Sequence, residues 1–281
     1  MKDNILLNEI KCLLCDTSDS KIEFIYKLRK KPDNETEFGI PEDKYKRSVY
    51  KCNSCGVYFN WHDILPSNLY ESNYNQATYQ KKLLKTYFRI MALNPDKSDN
   101  KHRVQRIIQF LNLQDININK ASVLDVGSGL CVFLGELKKY GVYSACIDPD
   151  PLSARHALEN VCVDEAHAGT LNDFQNTNRF NLITFNKVLE HVEEPISLLL
   201  KAKEFLDING HIYVELPDGD SALKKGNIID REEFYIEHFT IYNESSIQYL
   251  AEQAGLTCTN IHSIHEPSDK YTIYAFMKPI I

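Results

Sequence analysis

The stretch Val123-Leu124-Asp125-Val126-Gly127-Ser128-Gly129 decides the fold. An apolar β-type run leads through an acid into two glycines one residue apart, and Val132, Phe133, Leu134 and Leu137 then recur at helical spacing. Strand, tight glycine turn and helix is the physical recipe for a nucleotide-type ligand site. Glycine accepts positive φ and lets backbone approach a ligand, and such a turn lies at the carboxyl end of a strand in an α/β sheet. By itself the spacing also fits an ordinary strand-to-helix turn, so the rest of the chain has to decide.

Downstream, strands and helices alternate, which implies a doubly wound, mostly parallel sheet covered on both faces. Strands are expected at 122–126, 143–147, 162–164, 180–185 and 211–216. The helices between them are expected at 132–140, capped by Gly141, at 152–160, and at 195–206, stopped by Gly210. After a less regular stretch, 219–242, come a helix at 244–254 closed by Gly255 and an antiparallel pair at 257–263 and 271–277. Seven strands result.

Upstream lie two helices, 77–93 and 98–113, the second with a stripe of Val104, Ile107, Ile108 and Leu111 that suits covering the sheet. Before them runs an aromatic-rich link, Tyr58, Phe59, Trp61, Tyr70, Tyr74 and Tyr79. Tyrosines there either pack between two domains or line a substrate cleft, where a flat face and a hydroxyl are both useful. On the second reading Tyr70, Tyr74 and Tyr79 are substrate-binding candidates. The N-terminus holds two Cys-x-x-Cys pairs, Cys12/Cys15 and Cys52/Cys55, with Gly56 after the last. Four thiolates satisfy tetrahedral zinc, and a closed four-cysteine site is structural. The interval of 36 residues between the pairs is longer than usual and holds a loop, 30–46, flanked by strands at 22–26 and 48–51. Unmetallated thiols or a redox pair are the other readings. The domains are thus expected at 1–66 (zinc ribbon), 67–113 (helical and aromatic linker over the site) and 114–281 (ligand-binding α/β domain).

Composition narrows the partners. The chain has 281 residues, 43% hydrophobic and 25% charged, in keeping with a globular protein. No apolar run approaches the roughly 20 residues of a membrane helix. The first ten residues mix charge with apolar side chains and lack a signal-peptide pattern, so a cytoplasmic location is expected. Net charge is −7, unevenly placed: residues 1–110 carry 19 Lys+Arg against 14 Asp+Glu, and residues 111–281 carry 13 against 25. An acidic main body argues against gripping a phosphate backbone. Without a secretory signal, Cys131, Cys146, Cys162 and Cys258 read as small core residues.

Two acids and one missing glycine then narrow the ligand. Asp148 ends the second strand, 23 residues after Asp125, where a carboxylate accepts both ribose hydroxyls. A dinucleotide fingerprint needs Gly-x-Gly-x-x-Gly, and its sixth position here is Val132. Asp125 before the turn repels pyrophosphate but suits a sulfonium ligand and its amino group. These residues favour S-adenosylmethionine over NAD.

Val123–Leu134, Asp148-Pro149 and Asn186-Lys-Val-Leu-Glu-His-Val-Glu-Glu-Pro195 together resemble a class I S-adenosylmethionine-dependent methyltransferase over roughly residues 100–281. The resemblance implies that Asp125, Gly127, Ser128 and Gly129 hold the methionine moiety and Asp148 the ribose. Thr170 and Leu171, with Gly169, would meet adenine, and Asn186 and His191 would face the methyl group. Cys131 departs from the glycine or other small residue common there. Tyr50–Asn60 with Tyr70 and Tyr74 is similar to zinc-ribbon methyltransferases of sugar and surface-polysaccharide pathways. Tyr235-Ile-Glu237-His238-Phe-Thr-Ile-Tyr242 resembles the Glu-His motif of sugar C-methyltransferases, which makes His238 the general base and Glu237 its partner. Those enzymes usually continue into a further C-terminal domain, which leaves O-methylation of a sugar or nucleotide-linked sugar open beside C-methylation. The acceptor is then a small molecule. An RNA-modifying methyltransferase whose ribbon grips nucleic acid, and a non-catalytic scaffold, are the competing classes; the acidic body opposes the first and the intact Asp125, Gly127, Gly129 and Asp148 the second.

Overall fold

The computed structural model describes residues 10–62, 76–225 and 230–280. Its elements are, in order, β1 (Ile22–Leu28), β2 (Arg47–Cys52), β3 (Tyr58–Trp61), α1 (Gln76–Met91), α2 (Asp99–Leu113), β4 (Ser122–Val126), α3 (Val132–Leu137), β5 (Tyr143–Asp148), α4 (Pro151–His156), β6 (Glu165–Ala168), β7 (Phe180–Asn186), α5 (Pro195–Lys203), β8 (Leu206–Pro217), α6 (Gly219–Leu223), β9 (Thr240–Ile241), α7 (Glu244–Gln253), β10 (Leu256–His265) and β11 (Tyr271–Pro279). Tyr70 and Tyr74 lie outside the described residues, as does the side chain of Tyr79, whose backbone is in the first turn of α1.

Seven strands form one sheet in the order β10-β11-β8-β7-β4-β5-β6, with β11 alone antiparallel to its neighbours. β4 lies inside the sheet, between β7 and β5, and is apolar on both faces: Val123, Leu124 and Val126 are buried. Helices α2 and α3 cover one side, with Val104, Ile107, Leu111, Phe133, Leu134 and Leu137 forming one core with Val123 and Leu182. Ser98 caps α2 by accepting the Lys101 amide.

Two expectations shift. The third strand runs Glu165–Ala168, not 162–164, because Cys162 adopts left-handed backbone (φ 61°) that ends the preceding helix and Asp164 turns to accept Ser144 N and Oγ. Gly210 lies inside β8 rather than behind a helix; a side chain there would meet Phe180 O at 2.7 Å, so glycine permits the strand's close approach to β7.

A second, four-stranded sheet has the order β1-β2-β3-β9. Its first three strands come from the cysteine-rich segment. Its fourth comes from the stretch read as irregular: Tyr58 pairs with Ile241 and Phe59 with Thr240. Cys12, Cys52, Cys55, Val57 and Phe59 share a core with Tyr242, Ile247 and the central sheet, so the small sheet is fused to the large one.

Gly127 has φ +73°, and a Cβ on it would sit 2.7 Å from Val188 Cγ2. Gly127→Ala therefore combines left-handed strain with overpacking, and urea denaturation should show a loss of about 2 kcal/mol; an unchanged midpoint would mean the turn tolerates a side chain.

Candidate active site

The carboxyl ends of β4, β5 and β7 converge on the glycine turn. Gly127 N and Ser128 N both donate to Ile147 O, at 2.8 and 3.3 Å, which ties the turn to β5. Asp148 completes the tie: its Oδ2 accepts Gly129 N at 2.7 Å and its Oδ1 accepts Asp150 N at 2.9 Å. Each oxygen keeps a further lone pair for a ligand hydroxyl. Asp125 is buried, and its Oδ1 accepts both Thr184 Oγ1 (2.7 Å) and Asn186 Nδ2 (2.8 Å). Burial lifts its carboxyl to about 6 against the pull of those two hydrogen bonds. Because that carboxylate oxygen accepts, Asn186 must present Nδ2 to it, which leaves Asn186 Oδ1 buried with no hydrogen-bond partner; Ser128 Oγ is in the same condition. Asp125 and Asn186 Oδ1 are both acceptors, the set that fits an ammonium group. Cys131 holds φ 54° without glycine, with its side chain fully buried.

Two cavities flank the segment after β7. One, of about 320 Å³, is lined by Gly127, Ile147, Pro149, Gly169, Thr170, Leu171, Val188 and Leu198, among others. It is largely apolar and has the chemistry for a purine ring, so the loop after β6 reaches it although the strand itself is displaced in sequence. The other, of about 360 Å³, is lined by Lys187, Glu190, His191, Glu237, His238 and Lys270, among others. Residues 186–192 form the wall between them: Val188 and Val192 face the first cavity, Lys187, Glu190 and His191 the second.

In the second cavity, His238 Nδ1 lies 2.9 Å from Glu233 O, and His191 Nδ1 lies 2.9 Å from Glu237 O. A carbonyl only accepts, so both rings carry their proton on Nδ1 and the neutral imidazole presents its lone pair at Nε2. The rings stand 4.8 Å apart, tilted 64°. Burial, with the His191 ring beside it, pushes His238 well below the usual imidazole range. The orienting partner of His238 is thus the Glu233 carbonyl; Glu237 contributes its backbone oxygen to His191, and burial raises its carboxyl. Glu190, fully buried on the same wall, is likewise raised by burial.

The small sheet holds this loop. Asn60 Nδ2 donates to Tyr235 O (3.0 Å) and His238 O (2.7 Å). Arg47 donates to Phe234 O and pairs with Glu35 at 3.2 Å, both side chains fully buried. Glu35 Oε1 in turn accepts Ile236 N at 2.8 Å. The sequence singled out none of Glu35, Arg47 and Asn60, because the loop they hold lies between about 175 and 200 residues away. It also passed over Lys187 and the buried group in which Arg103 and Arg106 both bond Glu215 beneath the partition. Nearby, the four cysteine sulfurs lie within 4.8 Å of one another, with Cys12–Cys55 at 3.6 Å and Cys15–Cys52 at 3.5 Å. Sulfurs on one tetrahedral zinc would stand about 3.8 Å apart. Leu14 N and Ser54 N each donate to a cysteine sulfur at 3.4 Å, and Gly56 takes φ +86° at the second knuckle. The residues fit such an ion.

Comparison with known proteins bears on this arrangement. A family model described as "Methyltransferase domain" matches residues 97–261. The ubiquinone biosynthesis O-methyltransferase of Histophilus somni is 23% identical over 177 residues, 56% of this chain and 74% of that protein. Among solved structures, the 1,6-didemethyltoxoflavin-N1-methyltransferase of Burkholderia thailandensis, with bound S-adenosylhomocysteine, aligns with TM-score 0.53 and 13% identity over 83% of this chain and 96% of its own. The CcbJ methyltransferase of Streptomyces caelestis gives 0.51 and 13% over 74% and 100%. At such identities the likeness is one of fold.

The clamp on the loop makes a separate demand. Arg47→Met leaves Glu35 buried without its cation, which should cost about 3–5 kcal/mol in chemical denaturation and speed amide exchange at Ile236. Unchanged exchange at Ile236 would show that the loop holds itself.

Proposed function

The chain belongs to the methyltransferase domain family, and from that premise we propose that it methylates a sugar or nucleotide-linked sugar, on a hydroxyl or a carbon, with His238 as general base. The single observation that carries the reading is the partition 186–192. It separates an apolar purine-type cavity from a cavity holding a neutral, correctly tautomerised histidine. S-adenosylmethionine, when bound, supplies an electrophilic methyl group.

Asp125 and Asn186 would hold its ammonium, Asp148 its ribose, and Gly169, Thr170 and Leu171 its adenine, with the Gly127–Gly129 turn against the methionine. The unpartnered Asn186 Oδ1 and Ser128 Oγ fit a polar ligand at that end. His238 Nε2 would take the acceptor's proton, and His191 would keep the His238 ring tilted. Holding and orienting both reactants is the larger part of the work; the base adds a factor of about 10²–10⁴. Tyr70, Tyr74 and Tyr79 remain our substrate-binding candidates. The O-methyltransferase relative favours oxygen as the nucleophile. The acidic body opposes the RNA reading.

We assign Cys12, Cys15, Cys52 and Cys55 to a structural zinc ion whose role is to hold the sheet that clamps the His238 loop. Among the described residues no helix is long and apolar enough to cross a membrane. We take the domains as 1–66, 67–113 and 114–281, and the location as cytoplasmic.

The test is incubation with labelled S-adenosylmethionine and a panel of nucleotide sugars, the methyl located by mass spectrometry. Transfer to a sugar carbon or oxygen is expected; no transfer to any sugar-containing acceptor counts against this acceptor class. His238→Ala should lower turnover about 10²–10⁴-fold and leave S-adenosylhomocysteine affinity near that of the wild type. Since burial lowers the His238 pKa and the neutral ring is the active form, the acid limb of kcat should lie below pH 6.5; a limb above that value would assign the titration elsewhere. Stripping zinc with a chelator should abolish turnover while calorimetry still detects S-adenosylhomocysteine. Full activity of metal-free protein would remove zinc from the account.

A further inference from the structure

Lys187 is a residue of the partition whose chemistry the preceding reading leaves unused. It follows Asn186, which bonds Asp125, and precedes Val188, which touches the glycine turn, yet its own side chain lines the second cavity. It therefore stands where donor and acceptor meet. It also holds φ 59° without being glycine. Strained backbone at such a junction persists only where the surroundings enforce it, and it clusters at functional sites.

Its charge is under-compensated. Lys187 Nζ donates to Thr272 Oγ1 at 2.7 Å, which leaves two further N–H donors on the ammonium. The charged groups that act on it most are Glu215, Glu190, Arg103 and Glu266, and His191, His238, Glu237 and Lys270 line the same cavity. Glu215 is already engaged by Arg103, Arg106 and Tyr213. Glu266 is paired with Arg106 at 3.6 Å, and burial lifts its carboxyl to about 7. Glu190 faces the same cavity, but neither of its carboxyl oxygens has a hydrogen-bond partner, Lys187 included, and burial raises its carboxyl. Burial accordingly lowers the Lys187 ammonium itself. A cation held in a cavity wall at this cost fits a ligand that brings negative charge to it.

Resting on the acceptor cavity assigned above, we propose that Lys187 holds an acceptor oxygen that is negative in the reacting form, the enolate oxygen of a carbonyl compound or the anion of an acidic hydroxyl. The acceptor's proton passes to His238 Nε2. The electron pair left behind forms the new bond to the methyl carbon, from oxygen or from the α-carbon. The methyl–sulfur bond breaks with its pair on sulfur, giving a neutral thioether. Lys187 stays protonated throughout and lowers the acidity cost of the first step.

The probe needs no sugar, so its outcome is separable from that of the nucleotide-sugar panel. With S-adenosylhomocysteine saturating, 4-nitrophenol and acetylacetone are titrated spectrophotometrically in the presence of the protein. Wild type should bind at least one of them preferentially as its anion, lowering its apparent pKa by about one unit, a tenfold preference. Phenolate selectivity points to an acidic hydroxyl, enolate selectivity to a carbonyl compound. Lys187→Met and Lys187→Gln should lose the preference, Lys187→Arg should keep part of it, and all three should bind S-adenosylhomocysteine as wild type does. Absence of any anion preference in the wild type, or its persistence in a folded Lys187→Met, overturns the proposal.

Discussion

Gly127 lies so close to Val188 that no side chain fits between them, and the rest of the site depends on that contact. It presses the segment after β7 against the glycine turn. Along that segment Val188 and Val192 line the apolar cavity, whereas Lys187, Glu190 and His191 line the polar one. A wall one chain thick separates two chemistries. The apolar side suits a purine, and the polar side suits a molecule that must lose a proton. On the proposed function, donor and acceptor have to meet in line where the two cavities open to each other.

The large sheet builds the wall but cannot build the far side of the polar cavity. That side is the loop 232–239, and the small sheet supplies its geometry. β9 joins β3, Asn60 and Arg47 fix the carbonyls of residues 234, 235 and 238, and Glu35 fixes the amide of Ile236. Tyr58 adds a 2.5 Å bond to Asp220, and Gly219 packs against the same ring. Burying the Arg47–Glu35 pair costs desolvation, which its hydrogen bonds offset only if all remain in place. The gain is a single loop geometry. None of the four cysteines lines the polar cavity; Cys52 closes β2 and Cys55 lies in the turn between β2 and β3.

What the sequence made legible follows from how local each signal is. β4 and the glycine turn fall where the pattern placed them, because a buried strand and a positive-φ turn each leave a mark within a few residues. Asp148 and Asn186 end the two strands that flank β4, and Asp125 lies one residue before the end of β4, so the three share one edge of the sheet. The third strand slipped because a left-handed Cys162 carries no glycine to announce it. Gly210 was misread because a glycine that stops a helix and one that admits a neighbouring backbone look alike in sequence. The Glu35–Arg47–Asn60 clamp was invisible for another reason: each residue is ordinary until a loop far along the chain is brought to it. His238 stands out in the sequence, whereas its orienting group, a main-chain carbonyl, has no side-chain signature at all.

The central claim is that the partition divides a donor cavity from an acceptor cavity. A crystal structure of the protein with S-adenosylhomocysteine tests it most directly. The account predicts adenine against Ile147, Leu171 and Leu198, the ribose on Asp148, and the sulfur at the partition, open toward Lys187 and His238. Adenine lodged in the Lys187–His238 cavity, or a sulfur turned away from it, would contradict the account.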